Sequence, residues 1–208
     1  MKKSMCVTYK VGSGLYVNVT NRCSNACDFC IRNNGDGAYG SDSLWLIREP
    51  TRVEITEAIL SNDLDAYSEV VFCGYGEPSC RLDDVVAVAR EIKRCRPETS
   101  IRINTNGQSD LILGRNTAPD YAGCFDTVSI SLNSPTAEGY DKICHSRFGL
   151  SAFDAILNFA KEVKKYVPET MFSVVKEFIS EEELLLCRKI CDKTGVAIKV
   201  RDYIPPEI

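Results

Sequence analysis

Short apolar runs alternate with helical patterns along almost the whole chain. Apolar residues in short continuous or alternating runs predict strands at 15–20, 69–74, 100–106, 127–133, 171–178 and 196–203. Apolar residues at helical spacing predict helices at 51–60, 81–95, 151–166 and 180–195, with a weaker helical stretch at 109–122.

Polar residues next to these helical runs predict where the helices begin and end. Thr51 with Glu54, and Ser180 with Glu183, have the spacing of a capping box. The helix at 151–166 is expected to open at Ser151, with Asp154 in its first turn. Gly195 is placed to end the helix at 180–195.

The alternation of strands and helices predicts an α/β fold with a parallel sheet, because each parallel crossover needs a helix to return the chain. Six strands are too few for a closed eight-stranded barrel, so a doubly wound open sheet and a partial (βα)6 barrel both remain. A hairpin turning at Gly12–Gly14, within an N-terminal extension over 1–14, is expected to lie across one end of the sheet.

Polar residues within the predicted strands favour the partial barrel. Asn104 with Asn106, and Ser129 with Ser131 and Asn133, stand two apart, so each set points to one side of its strand. Strands buried on both faces tolerate such groups only with hydrogen-bond partners, which a concave, ligand-filled inner face would provide. The alternative is that these residues are strand ends that meet solvent.

The chain has 208 residues, enough for one domain over 1–208 with a sizeable core. No apolar run has membrane-spanning length and no signal peptide is visible, so we expect a cytoplasmic protein without membrane contact. A net charge of −4 without a basic stripe indicates a small-molecule substrate rather than a nucleic acid. Eleven cysteines in a reducing compartment are metal ligands, catalytic groups or small core residues.

The loop after the strand at 15–20 carries Cys23, Cys27 and Cys30 in a C-x3-C-x2-C spacing. It lies where parallel α/β sheets bind their ligands, beyond the carboxyl end of a strand. Three thiolates at this spacing could hold three irons of an iron–sulfur cube and leave the fourth open to a small molecule. The alternative is a zinc site completed by a distant ligand such as His145, the one histidine, or another cysteine.

The cysteine loop, with Phe29 just before its last cysteine, resembles that of the radical S-adenosylmethionine (SAM) superfamily. "CGYGEP" at 73–78 is similar to the Gly-Gly-Glu-Pro motif of that superfamily, with Tyr75 inserted between the glycines. "NTNG" at 104–107 and "SISLN" at 129–133 fit looser motifs at the ends of the next two strands. The resemblance implies a partial (βα)6 barrel.

The resemblance also implies a [4Fe–4S] cluster held by the three loop cysteines, with SAM chelating the fourth iron. Reduction by an external one-electron donor, such as flavodoxin or ferredoxin, would cleave SAM to a 5′-deoxyadenosyl radical. Gly74 and Gly76 would let the backbone approach the methionyl group, and Glu77 would accept from its ammonium. The implied SAM-binding residues are Phe29 for the adenine, Ser131 and Asn133 for the ribose, and Gly74, Tyr75, Gly76, Glu77 and Asn104.

The segment 31–50 is too long for an ordinary strand-to-helix loop and is expected to cover the barrel top. The overall pattern is similar to the small TatD-nuclease-associated radical SAM proteins, which include enzymes of queuosine salvage that cut queuine to 7-aminomethyl-7-deazaguanine. This implies a carbon–nitrogen lyase that binds queuine through Arg32, Trp45 and Glu49. For Trp45 the alternative is a lid residue that packs on apolar neighbours.

Three other functions remain open from the sequence. A glycyl-radical-enzyme activating enzyme shares the small size and the cysteine loop, but acts on a glycine of another protein. Another radical SAM enzyme of small molecules would differ only in its substrate. A metal-bearing regulatory module would bind no SAM, and it has no need of the 73–78 motif.

Overall fold

The structure is a computed structural model that describes residues 2–204. Its strands are β1 Thr8–Val11, β2 Gly14–Val17, β3 Glu69–Phe72, β4 Ile101–Thr105, β5 Thr127–Ser131, β6 Glu169–Val175 and β7 Ala197–Arg201. Its α-helices are α1 Arg52–Leu60, α2 Leu82–Cys95, α3 Ser109–Leu113, α4 Ala137–Cys144, α5 Ser151–Val163 and α6 Glu181–Thr194.

The seven strands form one sheet in the order in which they occur along the chain, β1 to β7. β1 and β2 are an antiparallel hairpin, and every later pair of neighbours is parallel. A doubly wound sheet would reverse its strand order at a switch point, whereas this order runs in one direction without closing. The partial barrel and the N-terminal hairpin are therefore confirmed, but the hairpin adds β1 to the edge of the sheet instead of lying across one end of it.

The two faces of the sheet differ in polarity, as the alternation of side chains requires. Val17, Phe72, Ile103, Ile130 and Phe172 lie on one face, are fully buried, and belong to the core formed with the helices. The opposite, inner face carries polar side chains at several strand positions: Arg102, Asn104, Ser129, Ser131 and Ser173. The prediction of a polar inner face is confirmed for the residues within strands, while Asn106 and Asn133 lie just beyond the strand ends.

Most helix boundaries follow from local capping. Both predicted capping boxes are present, at Thr51–Glu54 and Ser180–Glu183, and Gly195 ends α6 with φ of 65°. The predicted cap at Ser151 is wrong, because the N-cap position is Leu150 and carries no side-chain hydrogen bond. The Ser151 hydroxyl instead donates to the Phe148 carbonyl at 2.7 Å.

The structure differs from the predicted elements at three places. The stretch 109–122 divides into α3 and a 3-10 turn at Ala118–Tyr121, because Gly114 takes a left-handed φ of 68° and ends α3. Helix α4 was not predicted, since its eight residues bury only Tyr140 and Cys144 and include Gly139. The predicted strand 171–178 runs over 169–175 and ends in a 3-10 turn at Lys176–Phe178. Within residues 2–204 we find no helix with the length and apolar character needed to cross a bilayer.

Candidate cluster and cofactor site

The cysteine loop lies beyond the carboxyl end of β2, and its three thiols are half-buried and free of disulfides. Among residues 2–204, no three Cys, His, Asp or Glu side chains are arranged as ligands around one point. Burial, followed by the charge of Glu77, raises the pKa of Cys23 to about 12. Buried thiols become thiolates when a bound metal supplies the compensating positive charge.

Arg32 is the cation that the three loop cysteines share. Its guanidinium lowers the pKa of Cys23, Cys27 and Cys30. Burial outweighs this effect at Cys23 and Cys30, whereas at Cys27 the neighbouring Cys144 side chain, followed by burial, keeps the pKa raised. It is held by the Asn25 carbonyl at 3.0 Å and by the Tyr75 carbonyl at 3.5 Å. The predicted substrate-binding residue Arg32 therefore lies beside the cysteine loop, where its charge suits a cluster bound by thiolates.

The C-terminal end of α4 docks onto the middle of the cysteine loop. The amides of Ala26 and Asp28, on either side of Cys27, donate to the Cys144 and Ile143 carbonyls at 3.0 Å each. His145 Nε2 contacts the Asp28 carboxylate at 2.7 Å on an exposed turn. The end of α4, which the sequence pattern did not predict, therefore supports the cysteine loop. We call this end, Ile143 and Cys144, the platform of the loop.

A buried polar network joins the loop to the same platform, with Gln108 at its centre. The Gln108 carbonyl oxygen accepts from the hydroxyls of Ser24 at 2.8 Å and Ser146 at 3.1 Å. Its amide donates to the Asn25 carbonyl oxygen and the Tyr140 hydroxyl, both at 2.9 Å. Because each partner is itself buried or nearly so, loss of one member leaves another polar group without a partner.

Gly74 and Gly76 are explained by the packing of the chain on itself. A Cβ on Gly74 would lie 2.2 Å from Asn18 Oδ1, and one on Gly76 would lie 2.3 Å from the Thr20 carbonyl oxygen. The glycines therefore let the end of β3 lie directly against the segment that leads into the cysteine loop. This contact accounts for both glycines without reference to a ligand.

Glu77 is buried, and protein donors surround its carboxylate. It accepts from the Thr105 hydroxyl and the Asn106 amide at 2.7 Å each, and from the Ser79 amide at 3.0 Å. Burial raises the pKa of Glu77, and these hydrogen bonds oppose the shift. The carboxylate therefore connects the ends of β3 and β4. The resemblance implies that it accepts from the SAM ammonium, and these protein donors compete with that ammonium for the same oxygens.

The 31–50 segment is anchored by a small apolar cluster that includes Tyr75. The Tyr75 hydroxyl lies 2.9 Å from the carbonyl oxygens of both Gly35 and Gly37. The rings of Tyr75 and Trp45 form a T-shaped pair with their centroids 5.2 Å apart. The side chain of Tyr75 thus faces the segment. Trp45 therefore packs on apolar neighbours, which is the alternative to stacking on a ligand. Tyr39, at φ of 56° and 45% exposed, is the aromatic residue of the segment that stays accessible.

Glu49 contacts the segment between β2 and the cysteine loop. Its carboxylate accepts from the Thr20 hydroxyl at 2.6 Å and from Arg22 Nε at 2.7 Å. Partial burial pushes the pKa of Glu49 upward, but the hydrogen bonds from Arg22 and Thr20 keep it below its usual range. Glu49 and Trp45 therefore contact different neighbours, Thr20 and Arg22 for Glu49 and Tyr75 for Trp45.

Asn133 carries a buried acceptor that has no partner within the described residues. The residue is 4% exposed with a left-handed φ of 56°, and its Oδ1 accepts no hydrogen bond. Its Nδ2 points to the Cys144 sulfur at 3.7 Å, on the platform of the cysteine loop. Such an orphaned oxygen is unfavourable unless a ligand or water supplies a donor. It fits the ribose hydroxyl that the resemblance places here.

The other predicted SAM-binding residues lie at the same edge of the sheet. Ser131 is half-buried on the inner face, in register with Ser173 of β6. Asn104 accepts from Arg102 at 3.2 Å. Phe29 is buried and packs on Phe178, with ring centroids 5.0 Å apart.

A parallel partial barrel with a cysteine loop at its carboxyl edge defines the class of protein. A family model described as Radical SAM superfamily matches residues 17–188, which is most of the chain. The chain belongs to the radical SAM superfamily. Its members are enzymes that use a [4Fe–4S] cluster and SAM.

Curated relatives match at low identity. Molybdenum cofactor biosynthesis protein 1 of Drosophila melanogaster is 24% identical over 194 residues, covering 92% of this chain and 32% of the relative. GTP 3′,8-cyclase 2 of Mycobacterium tuberculosis (strain H37Rv) is 25% identical over 205 residues, covering 94% of this chain and 51% of the relative. The chain therefore spans about a third to a half of the length of these relatives.

Solved structures that hold the nucleoside cofactor share the fold. SuiB of Streptococcus suis bound to SAM has a TM-score of 0.63 at 18% identity, covering 93% of this chain and 40% of SuiB. The protein anSMEcpe with bound AdoMet has a TM-score of 0.62 at 18% identity, covering 92% of this chain and 51% of that protein. Identities this low support the architecture alone.

Asn25, Gln108 and Cys144 contribute to the site but were not predicted from the sequence. Gln108 directly follows the 104–107 motif, so its position was a usable signal. Asn25 lies between two of the loop cysteines and could have been selected for that reason. Nothing local marks Cys144, because its contact with the loop joins segments more than a hundred residues apart.

Proposed function

We propose that the whole chain acts as one radical SAM catalytic domain in which Cys23, Cys27 and Cys30 hold three irons of the cluster. The observation that carries this proposal is the unpartnered, buried Oδ1 of Asn133 beside the platform of the cysteine loop. When bound, the cluster and SAM supply the one-electron cleavage that yields methionine and a 5′-deoxyadenosyl radical.

The residues of the chain then bind, orient and exclude water. Asn133 Oδ1 accepts from a ribose hydroxyl, with Ser131 beside it on the inner face. Phe29 provides an apolar surface for the adenine. Arg32 offsets the negative charge of the thiolates. Electrons come from an external one-electron carrier such as flavodoxin or ferredoxin.

The substrate that we propose is the free base queuine. It is cut at the carbon–nitrogen bond that joins its cyclopentene-diol to the aminomethyl group, which releases 7-aminomethyl-7-deazaguanine. The sequence resemblance to the TatD-nuclease-associated group supports this choice. The inner face also provides hydrogen-bonding side chains rather than an apolar wall. Tyr39, exposed on the anchored 31–50 segment, is available to stack on a flat base. In this proposal Tyr39 takes the stacking role that the resemblance implied for Trp45.

Anaerobic reconstitution with iron and sulfide, followed by reduction in the presence of SAM and queuine, tests the proposal. We expect 5′-deoxyadenosine and 7-aminomethyl-7-deazaguanine to form together at matching rates, and neither product to form with Cys30→Ala. Tyr39→Ala should raise KM for queuine, while Tyr166→Ala, a change at another exposed tyrosine, should not. Slow deoxyadenosine formation with queuine unchanged would keep the radical SAM reaction and refute the substrate.

A further inference from the structure

A bidentate ion pair on the inner face of the barrel has no part in the function proposed above. Arg102 of β4 donates from Nε and Nη2 to the two carboxylate oxygens of Glu69, at 2.9 and 2.6 Å. Both side chains are largely buried, at 15% and 28% exposed. A pair removed from water loses hydration that its attraction barely returns, so its presence here calls for a role beyond stability.

The same guanidinium fixes the side-chain amide of Asn104. Arg102 Nη1 donates to Asn104 Oδ1 at 3.2 Å. A guanidinium carries donors only, so the amide oxygen must face it and the amide nitrogen, Nδ2, must point away. Because Glu69 holds Arg102 through two parallel hydrogen bonds, the guanidinium cannot turn without breaking the ion pair. Asn104 therefore presents a donor in a fixed direction.

The neighbour of this amide within the protein is the thiol of Cys73. Phe72 pairs with Ile103, so the next residues along the two strands, Cys73 and Asn104, lie side by side on the inner face. Burial raises the pKa of the Cys73 thiol, and the Asn104 side chain opposes that shift, as a donor does. A thiol is a weak acceptor, so the amide keeps the capacity to donate to a stronger one.

Asn104 lies one layer further into the barrel than the proposed ribose contact. Its register partner on β5 is Ser129. Ser131 stands two residues closer to the carboxyl edge of the sheet, which is about 7 Å along the strand. The layer nearer the edge holds the residues assigned to the cofactor, so the Asn104 amide faces what lies beneath the cofactor, which is the substrate.

The tyrosine proposed to stack on the base, Tyr39, faces the same layer. Burial raises the pKa of Tyr39, and the nearby Tyr16 and Cys73 raise it further. Tyr16 belongs to the same network, because its hydroxyl accepts from Arg102 Nη2 at 3.3 Å. A base stacked on Tyr39 therefore occupies the space that Cys73 and Asn104 also line.

We propose that Asn104 is a specificity-determining residue whose Nδ2 donates to the ring carbonyl oxygen of the substrate base, and that Arg102 and Glu69 are positioning residues that fix its amide. The inference rests on the proposed function, since it takes queuine as the substrate. It assigns Asn104 to the substrate instead of to SAM, the role that the resemblance implies. A donor held in one direction favours a carbonyl over a group that cannot accept.

The test is anaerobic kinetics of the reconstituted protein with queuine and with a queuine analogue that lacks the ring carbonyl oxygen. The parent kcat/KM should favour queuine by about tenfold or more. Asn104→Asp keeps an acceptor toward Arg102 but replaces the donor with a second acceptor. KM for queuine should rise about tenfold with kcat close to the parent value, and the preference for queuine should vanish. Asn158→Asp makes the same change at an exposed position of α5 and should alter neither quantity.

The double variant Arg102→Met/Glu69→Met tests the positioning role, because it removes both charges and leaves neither unpaired. The amide of Asn104 is then free to turn. The preference for queuine should fall part of the way to the Asn104→Asp value, while formation of 5′-deoxyadenosine continues. Arg102→Lys retains a donor for Asn104 Oδ1 and should keep more of the preference than the double variant does.

Two results would overturn the proposal. The first is Asn104→Asp with the KM and the preference of the parent. The second is a tenfold loss of SAM affinity in Asn104→Asp with the preference intact, because Asn104 would then act on the cofactor. If Asn104→Asp is unstable in urea, Asn104→Ser replaces it with the same expectation, since its shorter side chain cannot reach the base.

The design separates this proposal from the function on which it rests. Absence of queuine cleavage by the parent protein would refute the proposed substrate, and the role of Asn104 with it. Normal cleavage by the parent together with an unchanged preference in Asn104→Asp would refute the role of Asn104 alone.

Discussion

Replacement of Glu77 distinguishes a structural carboxylate from a ligand-binding one. The carboxylate accepts three hydrogen bonds, from Thr105, Asn106 and Ser79, and is only 4% exposed. Glu77→Ala would leave these donors without their partner, at about 1–3 kcal/mol for each group that stays unsatisfied. Allowing for rearrangement and water entry, we expect the free energy of unfolding to fall by about 3–5 kcal/mol.

Glu77→Gln is the more selective change because it keeps the shape of the side chain. One oxygen remains to accept, but the other becomes an amide that faces a backbone or hydroxyl donor. We expect a loss of about 1–3 kcal/mol. The pKa of Glu77 is raised in the folded protein, so the native state holds the proton more tightly than the unfolded chain does. Parent stability should therefore decrease as pH rises from the ordinary glutamate pKa through the raised one, and this contribution should vanish in Glu77→Gln.

Urea denaturation of the metal-free chain measures these effects without any contribution from cofactor binding. The matched control is Glu98→Gln, an exposed glutamate, which should change stability by no more than about 0.5 kcal/mol. Titration with SAM after reconstitution provides the second readout. If Glu77→Gln is as stable as the parent at every pH, while SAM affinity falls by tenfold or more, the carboxylate acts on the ligand and our structural interpretation is wrong.

Three further changes test the site. Gly76→Ala should destabilise the chain by about 1–3 kcal/mol or more in urea, because its Cβ would lie 2.3 Å from a backbone oxygen that cannot move freely. Gly12→Ala, with nothing within 4 Å and φ of 56°, should show only the left-handed backbone cost of about 1–2 kcal/mol, so equal losses would refute the packing argument. Gln108→Ala should reduce iron loading and lower stability by about 1–3 kcal/mol, and full loading at parent stability would dismiss the polar network. Trp45→Ala should lower stability by about 2–4 kcal/mol without changing KM for queuine, whereas a raised KM at unchanged stability would return Trp45 to the substrate site.

Local patterns were sufficient for the framework because they depend on neighbours in the chain. The capping boxes at Thr51 and Ser180 formed as predicted, since each needs only residues three apart. The order of the strands was implied by the family resemblance, because the local patterns left a doubly wound sheet and a partial barrel both open. Helix α4 was missed because its short apolar pattern is weak and its stability comes from packing against distant segments.

The positions of the motif residues could be predicted from the sequence more reliably than their roles. The sequence places Glu77 and the glycines at the end of a strand, but the residues that fill their surroundings come from the segments after β2 and β4. Trp45 and Glu49 were expected at the ligand because they lie in a long loop. Their partners, Tyr75 and Arg22, could be identified only once the loop was folded over the sheet.

By itself the sequence determined the alternation of strands and helices and the spacing of three thiols on one loop, since both are properties of contiguous residues. The tertiary structure alone decided that α4 supports that loop and that Asn133 keeps an unpartnered oxygen beside it. The physical reason is that hydrogen bonding and burial depend on distance in space. Segments more than a hundred residues apart in the chain meet here at the carboxyl edge of one sheet.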